Sequence, residues 1–589
     1  MNFISKLKKC SLAKRLVLHF DPFPVDAWTD LGYQKWYENN RINANELENQ
    51  RTHSFDYPTS FSLIVPLYQT PENFLRDMVE SVLSQTYPHF ELLLVNASPE
   101  DTVLKSLVHG FCESDARIKE VVLDGNHGIT ENTNFGIDHA KGEFICFLDH
   151  DDFLEPNALF EFAKVINSDN EADILYCDED MVEYVNGKRQ HVHPLFKPAY
   201  SPELLLCKNY VVHLLTIRRS IVKRVPRPTR IFDGSQDYNM LLRATEHARA
   251  VHHVPKVLYH WRISTNSTAT NPESKPYTRR SNRLAVQGHL ERTAGQANLF
   301  FSGVPNLHNL WFNQIERPLV SVVVLQTGSD EQLSTCLESF AQSNSYEHYE
   351  LIVVSDHKPV LSIFCESLPI QHREMSGDYP MAHSAWFNFG AEAAKGEYLL
   401  FWDDTLTFAT PEPLEQLLGL CMRDAVGAVS PKILYVGGEV RYYGIATTPQ
   451  RLMPLYRGYP DDFPAYQCNT RCFQNVSAVS FEGMMTLRKA FELMGGFNTS
   501  YRSVVGAVDY CKRLTISGYR IVQTPTVKAE SAESCPADRY NNASNSPEFD
   551  PRDVALFYET WPDVLVEGDP FFNANFDQFS CYAQIPKVG

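Results

Sequence analysis

Tyr87-Pro-His-Phe-Glu-Leu-Leu-Leu-Val95 returns, altered but recognisable, as Tyr346-Glu-His-Tyr-Glu-Leu-Ile-Val-Val354. Outward from that stretch the echo continues. Asn134-Phe-Gly136 followed by Ala140-Lys-Gly-Glu143 returns as Asn388-Phe-Gly390 followed by Ala394-Lys-Gly-Glu397. Arg243 to Pro255 matches Arg513 to Pro525. The three matches lie 259, 254 and 270 positions apart, as expected when insertions collect in surface loops. Self-similarity on this scale reads as two diverged copies of one domain. The length of 589 residues agrees, since a single hydrophobic core stops growing near about 250–300 residues.

Each copy alternates strand and helix signals. Phe61 to Leu67 is an apolar run broken only by Ser62, the pattern of a parallel strand buried on both faces. Thr70 predicts a helix cap, with Pro71 in the first turn and Glu72 beside it. Leu75, Met78, Val79, Val82 and Leu83 follow at helical spacing. Further strands are predicted over 91–95, 118–123 and 144–148, with a helix over 129–140. The fold class is therefore α/β, with two tandem, Rossmann-like, mostly parallel sheets. Such sheets bind ligands beyond the carboxyl ends of their strands.

Composition narrows the function. Hydrophobic residues at 43% and charged residues at 21% exclude a mainly disordered chain. Lys plus Arg number 53 against 72 Asp plus Glu, and a formal charge of −19 argues against a nucleic-acid partner, which needs a dense basic face. Thirteen cysteines without CxxC pairs imply neither a disulfide framework nor structural zinc, and fit a reducing, cytoplasmic setting. No apolar run approaches the ~18–20 residues of a membrane span, and no secretory signal with a cleavage site is visible. Residues 1–20 carry Lys6, Lys8, Lys9, Lys14 and Arg15 and no acid, among Phe3, Ile4, Leu7, Leu12, Leu16, Val17 and Leu18. That spacing suits a basic amphipathic helix on the anionic inner face of a cell membrane, a helix docked on the first domain, or a frayed terminus.

At the end of the strand predicted over 144–148 stands Asp149-His150-Asp151-Asp152. Three carboxylates within four positions repel one another unless a cation or hydrogen-bond donors neutralise them. Hard divalent ions such as Mg²⁺ or Mn²⁺ take oxygen ligands and bridge carboxylates to substrate phosphates. A solvated acidic loop is the plain alternative. Neither GxGxxG nor GxxxxGK[ST] is present, so dinucleotide and P-loop readings lack their fingerprint. A sugar-1-phosphate nucleotidyltransferase would need a glycine-rich loop after the first strand, where Pro66-Leu-Tyr-Gln-Thr-Pro71 has no glycine.

A series of motifs resembles glycosyltransferase family 2. It comprises Phe61-Ser-Leu-Ile-Val-Pro-Leu-Tyr68, Glu91-Leu-Leu-Leu-Val-Asn-Ala-Ser98, Asn126-His-Gly-Ile129 and Leu148-Asp-His-Asp-Asp152. Tyr176-Cys-Asp-Glu-Asp180, Phe196-Lys-Pro198 with Ser201-Pro202, Gly234-Ser-Gln-Asp-Tyr238 and Tyr259-His-Trp-Arg262 complete it. The resemblance is strong over 57–268 and weaker over 318–531. It implies a GT-A fold, a nucleotide-diphosphate-sugar donor, a glycan or lipid-linked glycan acceptor, Mn²⁺ or Mg²⁺, and inversion at the anomeric carbon. It also implies roles. Asp149 and Asp151 would bind metal and donor, Asp151 as the more direct metal ligand, with His260 on the metal or diphosphate side. Pro66, Tyr68 and Asn96 would line the base pocket, and Asn96 stands where the family often has Asp. His150 and Asp178 would contact the donor, Asp178 within a segment whose plain alternative is a solvated turn. Asp237 would be the catalytic base; its alternative, shared with Ser235, is a helix cap.

Aligning the copies puts Asp149 on Asp403, His150 on Asp404, Asp151 on Thr405, Asp237 on Ala507 and His260 on Glu530. The expected organisation is a basic helical leader (1–55), a catalytic domain (56–268), a helical linker (269–315), a degenerate second copy (316–535) and an extension (536–589). The expected function is hexosyl or rhamnosyl transfer to a growing cell-envelope glycan of O-antigen or capsule type. Two alternatives stay open: a second active site using Asp403, Asp404 and Asp509, and a non-catalytic glycan-assembly scaffold.

Overall fold

The computed structural model describes residues 32–263, 277–293, 297–314, 316–375, 382–536 and 548–586. The basic stretch over 1–20 lies outside them. The chain divides into two compact units, one running from Asp30 to Trp311 and the other from Phe312 to Lys587.

The first unit holds β1 (Phe61–Leu67), β2 (Phe90–Asn96), β3 (Ile118–Val122), β4 (Phe144–Phe147), β5 (Phe153–Leu154), β6 (Ala172–Val185), β7 (Lys188–Leu195), β8 (Thr216–Arg218) and β9 (Ala250–Arg262). The sheet runs β3-β2-β1-β4-β8-β6-β9-β5, with β7 hairpinned onto β6. β1 to β4 are mutually parallel and β8 is antiparallel to both neighbours. Phe61, Leu63 and Val65 on one face and Ser62 and Ile64 on the other are all at most 1% exposed, as a strand covered on both faces must be.

Helices α1 (Tyr33–Asn40), α2 (Ala44–Thr52), α3 (Glu72–Leu83), α4 (Ile129–His139), α5 (Gln236–Thr245) and α6 (Tyr277–Arg292) belong to this unit. α1 buries Tyr33, Trp36 and Tyr37 and bonds Asp180 through the Tyr33 hydroxyl, so part of the stretch expected as a leader is domain. Thr70 does not cap α3. Pro71 occupies the cap position, and the Thr70 hydroxyl is buried without a hydrogen-bond partner among the described residues.

The second unit repeats the plan. The strands that carry the shared order are β10 (Val320–Leu325), β11 (Tyr349–Ser355), β12 (Ile370–Glu374), β13 (Tyr398–Asp403), β14 (Leu406–Phe408), β15 (Val426–Leu434), β16 (Met485–Leu487) and β17 (Arg520–Ser531). They run β12-β11-β10-β13-β16-β15-β17-β14, the same order with each strand replaced by its counterpart. Register agrees residue by residue. Phe61 pairs with Phe90 and Phe144, and Val320 pairs with Tyr349 and Tyr398. Phe153 opposite His260 is matched by Thr407 opposite Glu530. Helices α7 (Val505–Ile516) and α8 (Pro551–Thr560) complete the elements needed below.

One motif common to both copies is explained by packing alone. The Ser62 hydroxyl donates to Glu91 at 2.7 Å and accepts the Gly142 N–H at 2.8 Å, while Glu91 accepts the Lys141 N–H at 2.6 Å. Ser321, Glu350, Lys395 and Gly396 repeat this lock. A Cβ on Gly142 or Gly396 would lie 2.6 or 2.5 Å from the amide nitrogen of Ser62 or Ser321, so only glycine fits.

Candidate active site

β1 and β4 pair with Ile64 opposite Phe147, and β1 and β2 with Leu67 opposite Asn96. The segments after these strands therefore share one edge of the sheet. Leu215 joins them, because its carbonyl accepts the Phe147 N–H at 3.1 Å just before β8. α4 connects parallel strands and so runs back against them, leaving its N-terminus on the same edge. There Thr130 donates to Asp233 from its amide at 3.3 Å and its hydroxyl at 2.5 Å, pinning the approach to α5.

At this edge Asp149, Asp152 and His213 bring one ligand atom each within 4.8 Å of one another. Asp149 is half-buried. Asp152 is fully buried, accepts the Arg262 N–H at 2.9 Å and the Tyr259 hydroxyl at 2.5 Å, and has its pKa raised well above the carboxylate range by burial and by Asp151 and Asp149. The His213 ring lies parallel to Tyr259 at 4.4 Å and edge-on to Trp261. Burial and the Lys197 ammonium push its pKa down to about 3, so the imidazole is neutral at pH 7. A neutral imidazole beside two carboxylates is a donor set that suits a divalent cation. His150 is half-buried, its pKa lowered chiefly by burial, and Tyr68 is 42% exposed. The Asp151 carbonyl accepts from Arg262 Nε at 2.7 Å, and its side chain stands outside the group of three.

Asp237 lies in the first turn of α5, half-buried, with no side-chain partner among the described residues. Burial raises its pKa, opposed by the backbone N–H groups of Asp237 and Tyr238. Ser235, at the cap position, makes no capping bond; its hydroxyl sits 3.1 Å from that of Ser281 on α6. A carboxylate with no side-chain partner and a raised pKa at this sheet edge has the chemistry a proton acceptor needs.

Three expected site residues are placed elsewhere. Asn96 is 0% exposed; its amide donates to Glu120 at 2.8 Å and its oxygen accepts the Ser98 N–H, so it shapes the loop from inside. Asp178 is also wholly buried, accepting from the Lys197 N–H and from His253 Nε2, each at 2.8 Å. It belongs to the 14-residue strand β6, not to a turn. His260 is separated from Asp149 by strand alternation. Tyr259 and Trp261 point to the His213 side of β9, and the intervening residue points the other way. Its Nδ1 lies 2.6 Å from Asp180 and its Nε2 3.1 Å from Glu155, and these carboxylates raise its pKa to about 9 against the opposing effect of burial. His213 was missed in the sequence, where nothing local marks it.

The second unit fills the corresponding places differently. Asp404 accepts from the Thr327 N–H at 3.0 Å, the Thr327 hydroxyl at 2.8 Å and the Gly328 N–H at 3.0 Å, clamping the segment after β10. Asp403 accepts the Thr405 N–H at 2.9 Å. Ala507 is wholly buried, and Glu530 is exposed. Asp509 is held by Arg513 and by Trp561 Nε1 at 3.0 Å. Counted from the paired strands β4–β8 and β13–β16, Leu406 stands for Asp152 and Glu482 for His213. Beside Glu482 a buried Arg441 lies 2.8 Å from it, 3.2 Å from Glu533 and 3.7 Å from Glu548. Burial pushes Glu482 up to about 8; Arg441 opposes this, and the surrounding carboxylates reinforce it. The pairing of β15 with β17 likewise sets Lys432, Ile433 and Leu434 where β6 has Asp178, Glu179 and Asp180.

Comparison with known proteins agrees with the duplicated architecture. The chain matches the description "Glycosyl transferase family 2" twice, over residues 62–225 and 321–494. It is 30% identical to an uncharacterized protein, y4gI, of Sinorhizobium fredii across 87% of this chain and 57% of that protein. It is 28% identical to the O-antigen biosynthesis protein RfbC of Myxococcus xanthus across 87% of this chain and 40% of that one. The chain thus spans about half the length of these relatives. Among solved structures, S. aureus TarS 1-349 aligns at 20% identity and a TM-score of 0.32, covering 39% of this chain and 65% of that one. With both halves matched, the chain belongs to glycosyl transferase family 2 and carries that family's domain twice.

Proposed function

We propose that the first unit transfers a sugar, with inversion, from a nucleotide-diphosphate-sugar donor to a cell-envelope glycan or lipid-linked glycan, and that the second unit has lost transfer. The observation that carries this reading is the unpaired Asp237 carboxylate, with its raised pKa, at the acidic edge of a family-2 domain. Inversion requires a group that removes the acceptor hydroxyl proton on the face opposite the departing diphosphate. A positioned carboxylate supplies about 10²–10⁴ of rate. Asp149, Asp152 and His213 have the donor chemistry to hold a divalent ion, with the half-exposed Asp151 beside them. When bound, such an ion neutralises charge on the leaving nucleoside diphosphate. Tyr68 and Pro66 offer an exposed ring and a half-buried wall for the base. An acceptor of O-antigen type is supported by the name of the Myxococcus relative, and a setting at the inner membrane face by the basic residues over 1–20. No helix among the described residues is long and apolar enough to cross a membrane. The test is release of UDP, GDP or dTDP from a panel of donor sugars with Mn²⁺ or Mg²⁺; release that persists undiminished in Asp237→Asn overturns the role of Asp237.

A further inference from the structure

A second cluster of metal-ligating side chains lies on the opposite face of β9, where the transfer chemistry does not use it. Asp180, His191 and His260 bring one ligand atom each within 4.8 Å of one another, and all three are buried. Nδ1 of His191 lies 2.8 Å from one Asp180 oxygen, and Nδ1 of His260 lies 2.6 Å from the other. The two rings meet edge-to-face at 4.9 Å. Both imidazoles thus turn the same ring nitrogen toward one carboxylate.

The surroundings provide an independent sign. Nε2 of His260, the nitrogen facing away from Asp180, sits 3.1 Å from Glu155. A carboxylate on the remote nitrogen orients the ring, so that loss of the Nδ1 proton would turn a lone pair toward a metal, which is how metal-bound histidines are held. The Tyr33 hydroxyl donates to Asp180 at 2.8 Å and Tyr37 bonds Glu155, so the carboxylates are themselves oriented by α1. His191, His260 and Glu155 line a cavity of about 430 Å³, whose walls also carry Glu38, Asp77 and Glu80 beside Arg41 and Arg189.

We propose that Asp180, His191 and His260 form a site for a zinc-class divalent transition metal, with Glu155 as its supporting carboxylate and a fourth position open to the cavity. Two imidazoles and one carboxylate are a donor set for borderline ions of the zinc class, in contrast to the oxygen-rich set preferred by Mg²⁺. At metal–ligand lengths of about 2.0–2.1 Å, tetrahedral donors stand about 3.3 Å apart. The observed 2.6 and 2.8 Å contacts run to different Asp180 oxygens, so metal binding requires each to lengthen by about 0.5–0.7 Å as its bridging proton leaves, with a turn of the carboxylate. The site would tie α1 to the β6–β7 hairpin and β9. Its counterpart is missing from the second unit, where Leu434 and Glu530 replace Asp180 and His260.

The test uses the full chain carrying Asp149→Ala, which removes one donor of the other group, stripped with chelator and titrated with Co²⁺ and then Zn²⁺. The expected result is visible d–d absorption from one Co²⁺ per chain, displaced by Zn²⁺, with a rise in Tm. Adding His191→Gln should abolish the absorption while circular dichroism stays native. No absorption in the Asp149→Ala chain, or equal absorption after His191→Gln, overturns the site and leaves a hydrogen-bonded cluster only. If His191→Gln fails to fold, Glu155→Gln should weaken Co²⁺ affinity by about 10–100-fold, and unchanged affinity likewise overturns the proposal.

Discussion

The two units share a sheet order, a strand register and a Ser–Glu–Lys-Gly lock, and they differ where charge meets the carboxyl edge. In the first, acids are left partly open: Asp149 and Asp151 are half-buried, and Asp237 has no side-chain partner among the described residues. In the second, acids are consumed. Asp404 takes three donors from the segment after β10, Asp509 takes Arg513 and Trp561, and Arg441 supplies a built-in cation beside Glu482. A carboxylate satisfied by its own chain has little left for a ligand, whereas an unsatisfied one costs stability until a ligand arrives. What separates the copies is whether the protein itself completes the electrostatics.

The largest effect expected is on chemistry. Asp237→Asn keeps the shape of the first turn of α5 and removes the proton acceptor, so kcat should fall by about 10²–10⁴. Ala507→Gly at the matching turn should leave donor turnover unchanged. A comparable loss there would show that the second unit also transfers sugar, and the contrast drawn above would fail.

Arg441→Met tests the built-in cation. It leaves Glu482, Glu533 and Glu548 without their shared guanidinium, and removing one partner of a buried ionic group costs about 3–5 kcal/mol. Thermal or urea unfolding should show a transition that moves to lower stability while the kcat of sugar transfer holds. A silent substitution would mean that Arg441 neutralises nothing essential.

A smaller effect separates Asp404 from its counterpart His150. Asp404→Ala strips three donors of their acceptor and should cost about 1–3 kcal/mol of stability. His150→Ala should change stability by no more than about 0.5 kcal/mol and instead weaken donor binding, read by titration calorimetry with the nucleotide product. Equal stability losses would erase the distinction between an open and a filled edge.

Much of this contrast was legible before any coordinates. Phe61–Leu67 reads as a buried strand because parallel strands are apolar on both faces, and the repeat fixed which residues correspond. The acids of β6 were illegible for a physical reason. Asp and Glu are depleted from strands, so Asp178-Glu179-Asp180 does not read as a strand until Lys197, His191, His253 and His260 are seen to neutralise it from distant segments. Alternation along β9 likewise needs a fixed register before it can say that His260 and Trp261 face opposite ways. Asn186-Gly187 is different, since that pair between β-forming residues is a strong hairpin signal, and both residues sit at positive φ in the turn joining β6 to β7.

The smallest effect, and the sharpest discriminator, is in the pH profile. A general base works deprotonated, so kcat/KM must fall on the acid side as Asp237 takes up a proton. Burial raises the Asp237 pKa, hence the acid limb should lie above the about 3.9 of an ordinary aspartate. The sign is fixed: raising a base's pKa narrows activity from below, and a limb at or under the ordinary value would mean that Asp237 is not the acceptor. The comparison adds a control. Because Ala507 cannot titrate, a chain with Asp237→Asn should retain only residual turnover with that limb gone. If instead the residual activity kept the same limb, a second carboxylate would be sharing the work, and the nearest test of the filled edge would be Asp509→Asn.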